Sequence, residues 1–183
     1  ARPGAGCEEL SRAGENVRTR VHEYGGGDYR VAGGELFTVR FEDQRLYRGV
    51  GPMSPPGRHY ADMVRSPDGH WLVAVEEVPR SGEEPENRLV AFDLAGSNGE
   101  PQVIAAGHDF FSTPCFAPDG SELAFIAWDH PNMPWDATRL YRMGWGEAGP
   151  RGQAHGVAGG SAESVVQPRY SPAGALTFVS DRS

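Results

Sequence analysis

Short apolar runs, hydrophobic at odd and even positions alike, recur along this chain, and each comes directly after a turn-forming phrase. Ser66-Pro67-Asp68-Gly69 leads into His70-Trp71-Leu72-Val73-Ala74-Val75, Ala117-Pro118-Asp119-Gly120 leads into Glu122 to Trp128, and Ser171-Pro172-Ala173-Gly174 leads into Leu176 to Ser180. Side chains alternate faces along a strand, so a run that is apolar at every position predicts a strand buried on both sides. In the phrase itself, proline presets φ, aspartate bonds its own backbone and glycine takes the positive φ that closes a tight hairpin. Partner strands are predicted just upstream, over Tyr60 to Arg65, Thr113 to Phe116 and Val165 to Tyr170. Third strands follow over Asn87 to Leu94 and Thr138 to Met143, and a weaker fourth strand is best seen over Pro101 to Ala105.

The three phrases begin 51 and then 54 residues apart. A period of that size marks an array of supersecondary units, and four antiparallel strands per unit of about 50 residues is the blade of a β-propeller. A more degenerate unit precedes them, with Gly33-Gly34 leading into Glu35 to Phe41 and then Gln44 to Arg48. The expected fold class is therefore all-β: a partial propeller over residues 1–183, with three complete blades, an N-terminal remnant near Cys7 to Leu10, and a fourth repeat that stops after its second strand. Propellers close with about four to eight blades, so the remaining sector is expected to be encoded elsewhere.

Composition sharpens this picture. With 25 glycines and 15 prolines, the chain is dense in turns, and no segment shows helical periodicity. A net charge of −8 argues against a nucleic-acid partner, which needs a clustered basic face; all 17 basic residues other than histidine are arginine. Cys7 and Cys115 lack metal-type spacing and read as reduced thiols. No run approaches the about 20 apolar residues of a membrane span, so no membrane partner is expected, and the expected setting is cytoplasmic.

Two segments carry candidate chemistry. Trp128-Asp129-His130-Pro131-Asn132-Met133-Pro134-Trp135-Asp136 links two strands of one blade and concentrates tryptophan, aspartate and histidine. Two readings stay open: the tryptophans wedge between blades while an aspartate caps a turn, or the loop contacts a peptide. Val21-His22-Glu23-Tyr24-Gly25-Gly26-Gly27 offers His22 and Glu23 to a substrate's amine or carboxylate, or simply places them against a neighbouring blade. The glycine run has no lysine or Ser/Thr after it and is no phosphate loop. The acidic stretch Glu76 to Glu86 reads as a solvated connection. No Gly-x-Ser-x-Gly elbow occurs; Gly159-Gly160-Ser161-Ala162-Glu163 comes nearest and is rejected as a nucleophile site. No metal or cofactor is expected, since His22, Glu23 and His130 lack ligand spacing.

Several phrases together are familiar: His22-Glu23-Tyr24-Gly25-Gly26-Gly27, Asp43-Gln44-Arg45-Leu46-Tyr47, Gly107-His108-Asp109-Phe110, the Trp128 to Asp136 loop, and Phe178-Val179-Ser180-Asp181-Arg182-Ser183. They resemble the N-terminal propeller of the prolyl oligopeptidase family of serine peptidases, nearest its bacterial dipeptidyl-peptidase and acylaminoacyl-peptidase-like members. The resemblance implies a propeller, commonly seven-bladed, that caps a C-terminal α/β-hydrolase domain holding the catalytic Ser, Asp and His, none of which lies in this chain. It further implies that the propeller gates access for short peptides, with His22, Glu23, Trp128, Asp129, His130 and Trp135 as candidate substrate-binding residues. Expected partners are peptide substrates and the hydrolase domain, with a homo-oligomer left open. The rival reading is a non-catalytic propeller acting as a platform for other proteins.

Overall fold

A computed structural model describes residues 9–96 and 99–182. Among the described residues, fourteen strands form four antiparallel sheets in chain order. The first holds β1 (Tyr29–Ala32), β2 (Glu35–Val39), β3 (Leu46–Arg48) and β4 (Gly51–Pro52). The second holds β5 (His59–Arg65), β6 (Trp71–Val78), β7 (Glu86–Asp93) and β8 (Gln102–Ala105). The third holds β9 (Phe110–Phe116), β10 (Glu122–Trp128), β11 (Arg139–Gly146) and β12 (Gly149–Gly159), and the fourth pairs β13 (Val165–Tyr170) with β14 (Leu176–Ser180). Each predicted phrase closes a hairpin: Gly69, Gly120 and Gly174 have φ of 80°, 72° and 83°, and their amides donate back to Ser66, Ala117 and Ser171.

The doubly apolar strands are explained by what each face meets. Leu72 and Ala74 of β6 pack with Phe37, Val39 and Leu46 of the first sheet, whereas Val73 and Val75 pack with Phe111, Leu123 and Phe125 of the third. One sheet further on, Phe125 and Ala127 of β10 face back into that same cluster, while Ala124, Ile126 and Trp128 face Val165 of the fourth sheet. Successive sheets thus stack face to face around three apolar layers, and each fully buried Leu or Phe contributes about 1.5–3 kcal/mol. The first strands of the sheets lie side by side in order, β1 against β5, β5 against β9 and β9 against β13. That is the radial arrangement of propeller blades around an axis.

The axial strands share a second repeat that their apolar pattern does not show. Asp62, Thr113 and Gln167 have left-handed φ values of 52°, 48° and 56°, each at a break in the strand register. They are spaced by the same 51 and 54 residues as the turn phrases, so the bulge belongs to the architecture of the unit. The Asp62 carboxylate uses it to tie the second sheet to the third and to the segment before β1, accepting from the amide of Gly27 at 2.6 Å and that of Thr113 at 3.0 Å.

Some expectations need correction. Of the N-terminal remnant, Cys7 and Glu8 lie outside the described residues, and Leu10 is in no strand. Among the described residues the N-terminal segment instead meets the first sheet at an isolated bridge, Val17 to Arg40, beside the Glu15–Arg40 ion pair. β14 is expected to be buried on both sides, yet Phe178 is 40% and Val179 55% exposed on its two opposite faces; among the described residues it pairs with β13 alone, in a two-stranded sheet. The fourth strand of the third unit, β12, is the longest of all at 11 residues. Cys115 is a free thiol whose pKa burial pushes up to about 11, so it is unreactive near neutrality.

Candidate functional site

The segment before β1 folds over the ends of the second and third sheets. The amide of Glu23 donates to the Arg20 carbonyl at 2.8 Å and that of Gly25 to Val21 at 2.9 Å, which makes a turn with left-handed φ at His22 and Glu23, 57° and 66°. Thr19 anchors it by donating its hydroxyl to the Tyr60 carbonyl at 2.7 Å, and the Val21 side chain enters the apolar layer between the second and third sheets. The glycine run now has a steric reason. A Cβ on Gly26 would lie 3.0 Å from the Ala61 Cβ, and one on Gly27 would lie 2.9 Å from the Asp62 Oδ1.

Under this turn opens a cavity of about 750 Å³ between the second and third sheets. Its two walls derive from equivalent positions of the repeat. In the second sheet the last cross-strand pair of β5 and β6 is His59 opposite Glu77; in the third sheet, 51 residues later, it is Phe110 opposite Trp128. A polar pair therefore faces an aromatic one. His59 Nδ1 lies 2.8 Å from Glu77 Oε1, and the His22 amide donates to Glu77 Oε2 at 2.8 Å. Burial acts to raise the Glu77 pKa, but these hydrogen bonds and the nearby imidazoles hold it below its ordinary value, so the carboxylate is ionised at neutral pH.

On the opposite wall Phe110 and Trp128 stack with 5.1 Å between ring centroids and a 15° interplanar angle. His22 meets both edge-on, at 5.1 Å and 5.6 Å, and His130 leans on Phe110 at 4.9 Å. Burial lowers the His22 pKa against the pull of Glu77 and Asp62, which leaves the imidazole neutral, and its Nε2 is buried with no hydrogen-bond partner. An orphaned buried nitrogen is costly by about 1–3 kcal/mol. A ligand group that bonds to it recovers part of that cost.

His22, Glu23, Trp128 and His130, proposed from two segments far apart in sequence, line this one cavity. Asp129 and Trp135 do not. Asp129 locks the loop from behind: it accepts from His108 Nδ1 at 2.8 Å and from the Asp109 amide at 2.9 Å, while Asp109 in return accepts from the amide and ring of His130. Trp135 is 67% exposed at the loop tip, so of the two tryptophans only Trp128 is wedged into a layer between sheets. Asp136 caps the loop through the Met133 amide at 2.9 Å. Arg20, Tyr24, His59, Glu77 and Met133 also line the cavity, as do Pro79, Glu83 and Glu84 of the stretch read as a solvated connection. Aligning the units at their 51-residue offset exposes the signal: a histidine and a glutamate stand where the next unit has two aromatic rings. Among the described residues no cluster of three metal-ligating side chains occurs.

Comparison with known proteins places this geometry. No protein-family model and no curated protein matches the chain. Among solved structures, a Mycobacterium tuberculosis puromycin-hydrolyzing peptidase is 33% identical with a TM-score of 0.83, over 97% of this chain and 31% of that one. A puromycin hydrolase mutant complexed with PGG is 31% identical with a TM-score of 0.83, over 95% of this chain and 30% of that one. Prolyl oligopeptidase B from Galerina marginata, bound to a 25mer macrocyclization substrate, has a TM-score of 0.58 at 8% identity over 86% of this chain and 26% of that one, a likeness of fold alone. The fold and these relatives define a peptidase-associated β-propeller segment. The chain is similar over nearly its whole length to peptidases of the prolyl oligopeptidase family, and it spans about a third of the length of the two puromycin-hydrolysing relatives.

Proposed function

We propose that this chain is the substrate-gating part of the propeller of a serine peptidase that cleaves short peptides, and that the cavity under the His22 turn receives the substrate's end. The observation that carries this reading is the buried, ionised Glu77 facing an aromatic wall, with the unpartnered His22 Nε2 beside them. A peptide end brings a positive or donor group for the carboxylate and the imidazole, plus apolar surface for the rings. The packed layers between sheets make the propeller a rigid wall that excludes folded chains, while loops at one end of the blades hold the peptide. The catalytic serine, aspartate and histidine belong to the hydrolase domain that the family resemblance implies; this chain supplies positioning and access.

The test is made on the full-length protein. An active-site serine probe should label it once, and kcat/KM should fall steeply along a ladder of peptides of increasing length, with a folded protein left uncut. Absence of labelling would favour the non-catalytic platform, and equal cleavage of folded proteins would remove the gating role.

A further inference from the structure

We propose that the connection from β6 to β7, residues 79–85, is a flap that closes the cavity and is latched across the mouth by Glu84 on Arg20. Its role in peptide access rests on the peptide-end reading given above; what is added is the part that moves and the contact that holds it shut.

Two strand connections wall the cavity, and the repeat shows why one of them is held and the other is not. In the third sheet the residue after the last cross-strand pair, Phe110 with Trp128, is Asp129, which accepts from the Asp109 amide at 2.9 Å. In the fourth sheet the residue after the pair Val165 with Ser180 is Asp181, which accepts from the Ser164 amide at 2.8 Å. Each carboxylate pins the chain leaving the second strand to the chain entering the first. The second sheet departs from this rule: after its pair His59 with Glu77 comes Val78, which has no side-chain acceptor. The two connections differ accordingly. In the 129–137 loop the amides of Asn132, Asp136 and Ala137 donate internally at 3.1, 2.9 and 3.4 Å, and the Ser164 hydroxyl donates to the Pro134 carbonyl at 2.7 Å. Residues 79–85 make no hydrogen bond to another sheet among the described residues; beyond the stem pair Val78 with Glu86, their polar contacts are the exposed pairs of Arg80 with Glu83 and Glu86. Bare backbone and few buried contacts make local opening cheap. Pro79 and Pro85 fix φ in the two arms and Gly82 turns between them at φ 76°, so the segment swings as a stiff unit on its stem. Charge gives it a landing point. Among the described residues Arg80 is engaged on the flap itself, whereas Glu84 has no cationic partner. Arg20 lines the same cavity, lies over the Phe41 ring 4.1 Å from its centroid, and has no carboxylate within ion-pair distance among those residues. Opposite charges at one mouth draw the flap shut, and because an exposed pair is weak the closed state exchanges with the open one.

The experiment uses the full-length protein. In hydrogen exchange, the amides of residues 81–84 should exchange about 100-fold or more faster than those of Asn132, Asp136 and Ala137. Arg20→Cys combined with Glu84→Cys replaces the latch by a disulfide, detected as a linked pair of peptides after digestion. Oxidised, this double variant should cleave Ala-Ala-Ala about tenfold or more slowly than the same protein reduced with dithiothreitol, and the wild type, which keeps its own Cys7 and Cys115, should show no such difference. Exchange at residues 81–84 as slow as in the 129–137 loop, failure of the two cysteines to link, or equal cleavage by the oxidised and reduced double variant would overturn the flap and leave the peptide-end reading standing. If neither wild type nor the reduced variant cleaves the peptide, the peptide-end reading falls, and the exchange rates and the disulfide still decide for or against the flap.

Discussion

Replacing Glu77 tests the polar wall of the cavity directly. Its side chain is 7% exposed and receives two hydrogen bonds, from the His22 amide and from His59, each at 2.8 Å. Glu77→Ala leaves that amide without an acceptor, about 1–3 kcal/mol, and removes a charge-assisted bond of about 1.5–3 kcal/mol. The expected loss is about 3–5 kcal/mol, within the sum of those two contributions. Glu77→Gln behaves differently. The amide oxygen still accepts from the His22 amide, and the amide group keeps a polar partner beside the His59 ring, so the expected loss is about 1 kcal/mol. Urea unfolding of the full-length protein, followed by tryptophan emission near neutral pH, measures both variants. The acid dependence supplies an internal control. Because the folded-state pKa of Glu77 lies below its ordinary 4.5, its contribution is complete above that value and lost as pH falls through the folded-state pKa. The gap between wild type and Glu77→Ala should therefore narrow in acid. An alanine variant within about 0.5 kcal/mol of wild type, or a glutamine variant as weak as alanine, would refute the reasoning.

Three further outcomes are expected. Burial holds the His22 pKa below its ordinary 6.5, so protons bind the unfolded chain more readily and stability falls as pH drops through 6.5; His22→Asn should flatten that slope in melting temperatures between about pH 7.5 and 5.5, and an unchanged slope would count against it. Gly27→Ala should cost about 1–3 kcal/mol, seen as a lowered Tm, because the Asp62 carboxylate 2.9 Å from the new Cβ is pinned by two amides and cannot yield; an unchanged Tm would mean that the strand shifts freely. The chain expressed alone should associate through the uncovered faces of its first and last sheets, where Tyr29, Val31 and Val50 are 65%, 58% and 62% exposed and Val179 55%; a single monomeric species in sizing runs at rising concentration would contradict this.

What was local in the fold was legible in the chain. The expected bounds of β10, β13 and β14 coincide with the observed ones, because a turn whose φ is dictated by proline and glycine sets the register of the doubly apolar run after it. The strands that escaped, β1, β4 and most of β12, carry no such signal. β12 reads Gly-Pro-Arg-Gly-Gln-Ala-His-Gly-Val-Ala-Gly, and it is a strand because β11 offers it a row of backbone partners. The cavity divides along the same line. His22 and Trp128 each stood out by local composition, but no property of either segment places one ring 5.6 Å from the other. That follows from stacking the second sheet on the third, which also turns Glu77 from one residue of an acidic stretch into a buried carboxylate. Sequence by itself determined the repeat and the strands that follow its turn phrases, since both depend on torsions and side-chain alternation within a few residues. Tertiary structure alone decided the site, because its walls come from neighbouring units whose separation is set by the packing of side chains between sheets.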